Sequence, residues 1–209
     1  MLTVILIRHG ETDAVGRRLS GRTEGVPLNA RGHEQAERLA DALARVRLTG
    51  IIVSPLQRAL ETATPLAIAH GTAMRIDRAL IDVDFGEWTG MLLDDVRHDP
   101  RWSAFNAHRE RAIAPGGESL RDVSDRMDAA LESIRQQFLG GVVAVVTHAE
   151  PIRCAVARAR SVTLDQALAI EIDTGSVSIL DAQPGRTWRD RLVNATPDRA
   201  GGALDGGTT

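Results

Sequence analysis

Three short stretches of this chain carry residue types that handle a phosphate group: Arg8-His9-Gly10-Glu11-Thr12, Ser54 with Arg58 four positions on, and Thr147-His148. Arginine presents a planar fork of donors that matches phosphate oxygens, and histidine near neutral pH is a nucleophile or a proton carrier. Two arginines and two histidines converging on one place would form a phosphate pocket. Taken singly, each is more readily a surface residue in a loop. Their shared position in the chain pattern argues for a site.

That position comes from the elements in front of them. The run Leu2-Thr3-Val4-Ile5-Leu6-Ile7 is continuous and largely β-branched, as a strand buried on both faces should be, and it stops at Arg8. Ile51-Ile52-Val53 stops at Ser54, and Val142-Val143-Ala144-Val145-Val146 stops at Thr147-His148. In open α/β sheets ligands bind beyond the carboxyl ends of the strands, so three strand ends deliver chemistry to one edge.

Helices alternate with these strands. Asn29 can cap a helix carrying Ala36, Leu39, Ala40, Leu43 and Val46, which Gly50 should stop; Ser54-Pro55 reads as cap and first turn of the next. Gly117-Glu118-Ser119 precedes an amphipathic helix (Leu120, Val123, Met127, Ala130, Leu131, Ile134) closed by Gly140-Gly141. Ile152 to Arg158 reads as helix, and Ile170 to Ile172, Ser176 to Leu180 and Trp188 to Val193 read as strands. The alternation predicts an α/β fold: a single three-layer domain over residues 1–195, with a mostly parallel central sheet, an antiparallel edge strand and helices on both faces. Residues 80–118, where periodicity weakens among Trp88, Trp102 and Phe105, read as a lid insertion. The Gly-rich stretch 196–209 reads as a flexible tail. No internal repeat is present.

Composition narrows the classes. The 209 residues are 43% hydrophobic and 25% charged, which is globular composition, and the net charge of −3 argues against nucleic-acid or membrane-surface binding. All 25 basic residues are arginine; without lysine, Schiff-base chemistry and a Walker-type phosphate loop are excluded. A lone Cys154 makes no internal disulfide, and no paired spacing resembles a zinc site. Leu2 to Ile7 is too short to span a bilayer and lacks the flanks of a secretory leader. A cytoplasmic protein without metal or cofactor is expected, with homodimerisation left open.

Further segments fall in a familiar order: Ser20-Gly21, Pro27-Leu28-Asn29-Ala30-Arg31-Gly32, Ser54-Pro55-Leu56-Gln57-Arg58-Ala59-Leu60-Glu61-Thr62-Ala63, Phe85-Gly86-Glu87-Trp88-Thr89-Gly90, Pro115-Gly116-Gly117-Glu118-Ser119 and Thr147-His148-Ala149-Glu150-Pro151-Ile152-Arg153. Together with Arg8-His9-Gly10-Glu11-Thr12 they resemble, over about residues 2 to 193, the histidine phosphatase superfamily, also called phosphoglycerate-mutase-like. The resemblance implies that His9 attacks phosphorus in line and becomes a phosphohistidine, while Arg8, Arg58 and His148 hold the equatorial oxygens. It assigns Ser20, Gly21 and Ala149 to the phosphate-binding surface. It also implies a proton-donating carboxylic acid four residues before Gly86, which is Asp82.

Three departures from the family pattern stand out. Most members carry glutamate where Asp82 stands, and aspartate reaches roughly 1.5 Å less; Asp84 and Glu87 are therefore rivals, Asp84 because alternate residues of an extended segment share a face. Val15 replaces a common asparagine in a loop one residue short, where Arg17, Arg18 and Arg22 either compensate or are solvated cations. Ala149 replaces a glycine, which leaves the adjacent imidazole unaffected.

Other candidates have plainer readings. His33-Glu34 is followed by Glu37 rather than a second histidine, so no metal site is expected. His70, His98 and His108 fall near helix ends or in the lid; His108, Arg109 and Arg111 read as surface residues before they read as a clamp for a substrate's second anionic group. Trp88 and Trp102 read as lid packing. The resulting expectation is a metal-independent phosphomonoesterase acting on a small phosphorylated metabolite, the alcohol being unspecified. Phosphoglycerate mutase is the alternative; a protein phosphohistidine phosphatase and a non-catalytic phosphate-binding module rank lower.

Overall fold

The computed structural model describes residues 1–138 and 140–205. In chain order the elements are β1 (Leu2–Arg8), α1 (Ala30–Leu43), β2 (Leu48–Val53), α2 (Gln57–His70), β3 (Met74–Ile76), α3 (Leu93–His98), α4 (Pro100–Ala107), α5 (Leu120–Gln137), β4 (Gly141–Thr147), α6 (Ala149–Ala159), α7 (Leu164–Ala167), β5 (Val177–Ala182), β6 (Trp188–Ala195) and α8 (Pro197–Asp205). The strands form one sheet in the order β3-β2-β4-β1-β5-β6. β1, β2, β3 and β4 run parallel, and β5 and β6 are antiparallel to their neighbours.

Period-two alternation divides each central strand between two cores. Val4 and Leu6 of β1, Ile52 of β2 and Val143 and Val145 of β4 meet Met127, Leu131 and Ile134 of α5 and Ile152 and Val156 of α6. Ile5 and Ile7, Ile51 and Val53, and Ala144 and Val146 face the other way, onto Leu39 and Leu43 of α1 and Ala59, Ala63 and Leu66 of α2. Because both faces are covered, the central strands are apolar between their first residues and their carboxyl ends, and the buried Thr3 of β1 donates its hydroxyl to Asp181 at 2.8 Å. A third cluster forms in the chain between β3 and α5: Val83, Phe85, Trp88, Val96 and Phe105 pack on Leu120 and Val123 of α5, and Trp88 meets Trp102 edge-on at 5.3 Å.

Caps follow the sequence where the side chain has no competing partner. Asn29 Oδ1 accepts the Gly32 N–H at 2.9 Å at the head of α1, and Ser119 and Asp122 form a reciprocal capping box on α5. Three expectations need correction, and one strand was not foreseen. Gly50 does not stop α1 but lies within β2, where a Cβ would come within 2.7 Å of the Phe138 ring. Ile170 to Ile172 is not a strand, and the short edge strand β3 carried too few residues to declare itself. Residues 197–205, expected to belong to a flexible tail, form α8, whose Ala200 is buried beside α1; residues 206–209 lie outside the described residues. Among the described residues no helix is long and apolar enough to cross a membrane.

Candidate active site

β1 and β4 end side by side, with Arg8 in register with Thr147, so their next residues, His9 and His148, emerge together. The two rings stand 5.2 Å apart between centroids, and the His9 N–H donates to the Thr147 carbonyl at 3.0 Å. At the end of β2, the Ser54 N–H donates to the Val146 carbonyl at 2.9 Å. Ser54 was expected to cap α2; the helix starts at Gln57 without a side-chain cap, and Ser54 Oγ lies 2.7 Å from His148 Nε2.

His9 Nδ1 lies 2.7 Å from its neighbour's carbonyl, Gly10 O. A carbonyl only accepts, so Nδ1 carries the ring hydrogen and Nε2 keeps its lone pair. The Gly10 loop is held from two sides. Its N–H donates to Thr62 Oγ1 at 2.9 Å, and that hydroxyl donates to the Arg58 carbonyl at 2.6 Å. A Cβ on Gly10 would stand 2.6 Å from the Gly32 carbonyl, and one on Gly32 would stand 2.1 Å from the Glu11 carbonyl. This close approach of backbones requires glycine at both positions.

The arginines are anchored through part of their forks. Arg8 Nη1 donates to the Ile172 carbonyl at 2.6 Å; Arg58 Nη2 donates to the Gly21 carbonyl at 2.6 Å and to Asp82 Oδ2 at 3.2 Å. Arg8 Nε, Arg58 Nε and His148 Nδ1 are buried without a hydrogen-bond partner among the described residues. Buried donors of this kind are costly unless an acceptor reaches them. An anion beside His9 would meet that need.

Burial and the two neighbouring cations push His9 down to about 3, desolvation being the larger cause, and Arg58 next. His148 is likewise held well below its ordinary value by burial, then by Arg58 and His9. Both imidazoles are therefore neutral near pH 7. Burial raises Asp82 against the opposing pull of Arg58, favouring the protonated acid.

The three rival carboxylates separate cleanly. Asp82 Oδ2 lies 3.7 Å from His148 Nδ1 and lines the same cavity as Arg8, His9 and Arg58. Asp84 accepts the Gly86 N–H at 2.9 Å and pairs with Arg22 at 3.3 Å; exposed Glu87 pairs with Arg101 at 3.0 Å. Neither lines the cavity. Asp82 is positioned by a residue that sequence reasoning missed: Arg126 of α5 donates to the carbonyls of Ala79, Ile81 and Asp82 at 2.7, 2.6 and 3.1 Å. Arg126 is itself paired with Glu118 at 2.9 Å.

Ser20, Gly21 and Ala149 line the cavity too, Ala149 as the first residue of α6. The start of a helix offers unpaired N–H groups and the positive end of its dipole. Gly21 also serves as an anchor, its carbonyl holding Arg58. Of the three loop arginines, Arg18 lines the cavity while Arg22 is committed to Asp84 and Glu118. Arg109 is buried and paired with Glu150, so the exposed clamp with His108 is not formed.

Known proteins similar in sequence and fold include phosphatases. The chain is 30% identical over 191 residues to "Phosphoserine phosphatase 1" of Hydrogenobacter thermophilus, covering 89% of each chain. It is 34% identical over 160 residues to "Probable phosphoglycerate mutase GpmB" of Salmonella choleraesuis, covering 75% of this chain and 74% of that one. The mycobacterial glucosyl-3-phosphoglycerate phosphatase superposes with a TM-score of 0.83 at 26% identity, over 92% of this chain and 98% of that one. Some mycobacterial relatives, 33% identical over 197 residues, are longer, and the chain spans 54% of their length. The model of the histidine phosphatase superfamily, branch 1, matches residues 4–196, and the chain belongs to that family.

Proposed function

We propose that the protein is a phosphomonoesterase that hydrolyses a small phosphorylated metabolite through a phosphohistidine at His9, without a metal ion, in the cytoplasm. The observation that carries this reading is the 2.7 Å contact of His9 Nδ1 with the Gly10 carbonyl, which leaves Nε2 as a fixed, neutral nucleophile between Arg8 and Arg58. In the first half-reaction Nε2 forms a bond to phosphorus as the ester oxygen leaves. Arg8, Arg58 and the Nδ1–H of His148 hold the phosphoryl oxygens, so guanidinium charge stands where a metal would otherwise serve. Asp82 gives its proton to the departing alkoxide. In the second half-reaction the Asp82 carboxylate takes a proton from water, whose oxygen attacks phosphorus; the P–N bond breaks, and phosphate and free His9 are restored.

Rapid quench with ³²P-labelled substrate tests this directly. The expected result is an acid-labile, base-stable label on His9, lost together with turnover in His9→Ala, and turnover that persists in chelator. Label on His148, or activity abolished by chelator and restored by magnesium, would overturn the reading. The mutase relative supports a second reading, in which phosphoryl passes to an alcohol instead of water. Transfer to 3-phosphoglycerate exceeding phosphate release in the same assay would establish it.

A further inference from the structure

One face of the cavity has more positive charge than the reaction at phosphorus employs. Its lining includes Arg8, Arg18, Arg58 and Arg153 but only two carboxylates, Asp82 and Glu150. Asp82 accepts from Arg58 at 3.2 Å and, as the acid of the proposed reaction, adds no further negative charge before turnover. Glu150, in the first turn of α6, is shared by two guanidiniums: Arg109 from beyond the end of α4, and Arg153 one turn further along α6 at 2.8 Å.

The two partners of Glu150 differ in burial. The Arg109 side chain is only 3% exposed, so its charge depends on Glu150 for compensation. The Arg153 side chain is 19% exposed and forms part of the cavity wall. Its Nε donates to the Ile170 carbonyl at 2.9 Å and its Nη1 to Glu150, which fixes the guanidinium plane. Nη2 has no partner among the described residues. Arg153 is also close enough to Arg8 to act on its ionisation as a like charge.

We infer that Arg153 is a specificity-determining residue that binds a carboxylate of the substrate, so that the preferred substrates are phosphomonoesters bearing a carboxylate near the ester carbon. This rests on the phosphatase reading above and deepens it. A carboxylate fits better than a second phosphate because the Arg109–Glu150–Arg153 group has one cation in excess and one free nitrogen, Nη2, which matches a monoanion, whereas a phosphate dianion calls for more donors. Glu150 acts as the positioning residue: it aims Arg153 and, through Arg109, fastens the segment after α4 to α6, which begins at Ala149.

The test uses two pairs of esters that differ in the carboxylate: phosphoserine against phosphoethanolamine, and 3-phosphoglycerate against glycerol 3-phosphate. The wild-type protein is expected to favour the carboxylate-bearing member in kcat/KM. Arg153→Gln should lower that preference by about tenfold, the scale of one charge-assisted hydrogen bond, chiefly through KM. Arg153→Lys, which keeps charge but loses the fork, should retain part of it and control for folding. Binding of the same pairs to His9→Ala, with and without Arg153→Gln, reads the preference independently of turnover. Failure to hydrolyse any of the four esters counts against the phosphatase reading, while the binding ratios still decide the role of Arg153. Equal preference in wild type and Arg153→Gln, in kinetics and in binding, would overturn the inference.

Discussion

Ser54 Oγ lies 2.7 Å from His148 Nε2, and the Leu56 N–H points at the same oxygen from 3.5 Å. We predict that the hydroxyl, which accepts from the Leu56 amide, gives its own hydrogen to Nε2, the direction that leaves a ring donor free on Nδ1. The ring hydrogen of neutral His148 then sits on Nδ1, on the side of Asp82. A residue at the end of β2 thus sets the tautomer of a residue at the end of β4. Ser54→Ala should release the ring to mix tautomers and lower kcat about tenfold, the effect of one buried hydrogen bond worth ~1.5 kcal/mol, with less change in KM. Nitrogen-15 shifts of the His148 ring, read beside the kinetics, check the cause. An unchanged tautomer with unchanged kcat would dismiss Ser54 from this role.

Proton donation by Asp82 should depend on the leaving group. A sugar or glycerol alkoxide needs the proton and a nitrophenolate hardly does, so Asp82→Asn should slow alkyl phosphates by roughly 10²- to 10⁴-fold and aryl phosphates much less. Asp84→Asn breaks the ion pair with Arg22 and should be milder on both. Because burial raises Asp82, kcat/KM of the wild type should fall on the alkaline side as this acid is lost, and Asp82→Asn should remove that limb. A leaving-group effect in Asp84→Asn or Glu87→Gln, absent from Asp82→Asn, would reassign the donor.

Arg58 is buried and held by the Gly21 carbonyl and Asp82, so in the proposed mechanism it would meet the phosphoryl group in a fixed orientation. Arg58→Lys keeps the charge and forfeits the fork; kcat should drop by about tenfold or more while KM changes less. Kinetics close to wild type would remove Arg58 from the transition state.

Acid should destabilise the fold through His9. Its folded value of about 3 lies below the ordinary 6.5, so between these values the unfolded chain binds a proton that the folded chain does not. Stability from this group is complete above pH 6.5 and is lost as pH falls toward 3, about 1.4 kcal/mol per pH unit. His148 adds in the same direction, and the raised acid of Asp82 opposes it from the ordinary 3.8 upward to its folded value. Urea melts at pH 7 and pH 5 should therefore show a loss in the wild type that exceeds the loss in His9→Asn by about 2 kcal/mol. Parallel losses would mean that His9 is not held neutral in the folded protein.

Much of the site was legible along the chain because its chemistry sits directly after the strands that position it. A strand buried on both faces is largely apolar, so the runs ending at Ile7 and Val146 give way to Arg8-His9 and Thr147-His148 where the strands end, and β-branched residues mark those ends. Asn29 and Ser119 were legible for the same local reason: a cap bonds within three residues of itself.

Tertiary structure decided what depends on residues far apart in the chain. Alternation puts Asp82 and Asp84 on one face, and only Arg22 and the Gly86 amide turn Asp84 away. Ser54 has the sequence look of a helix cap, yet His148, 94 residues later, claims its hydroxyl. Gly50 resembles a helix stop until Phe138 occupies the space above it in β2. Arg126 clamps the Asp82 segment from more than 40 residues away, and Glu150 reaches 41 residues back to Arg109. Hydropathy and propensity report a residue's own backbone and solvent preference; which charge meets which across the sheet is fixed only when the layers close and desolvation forces each buried donor to find an acceptor.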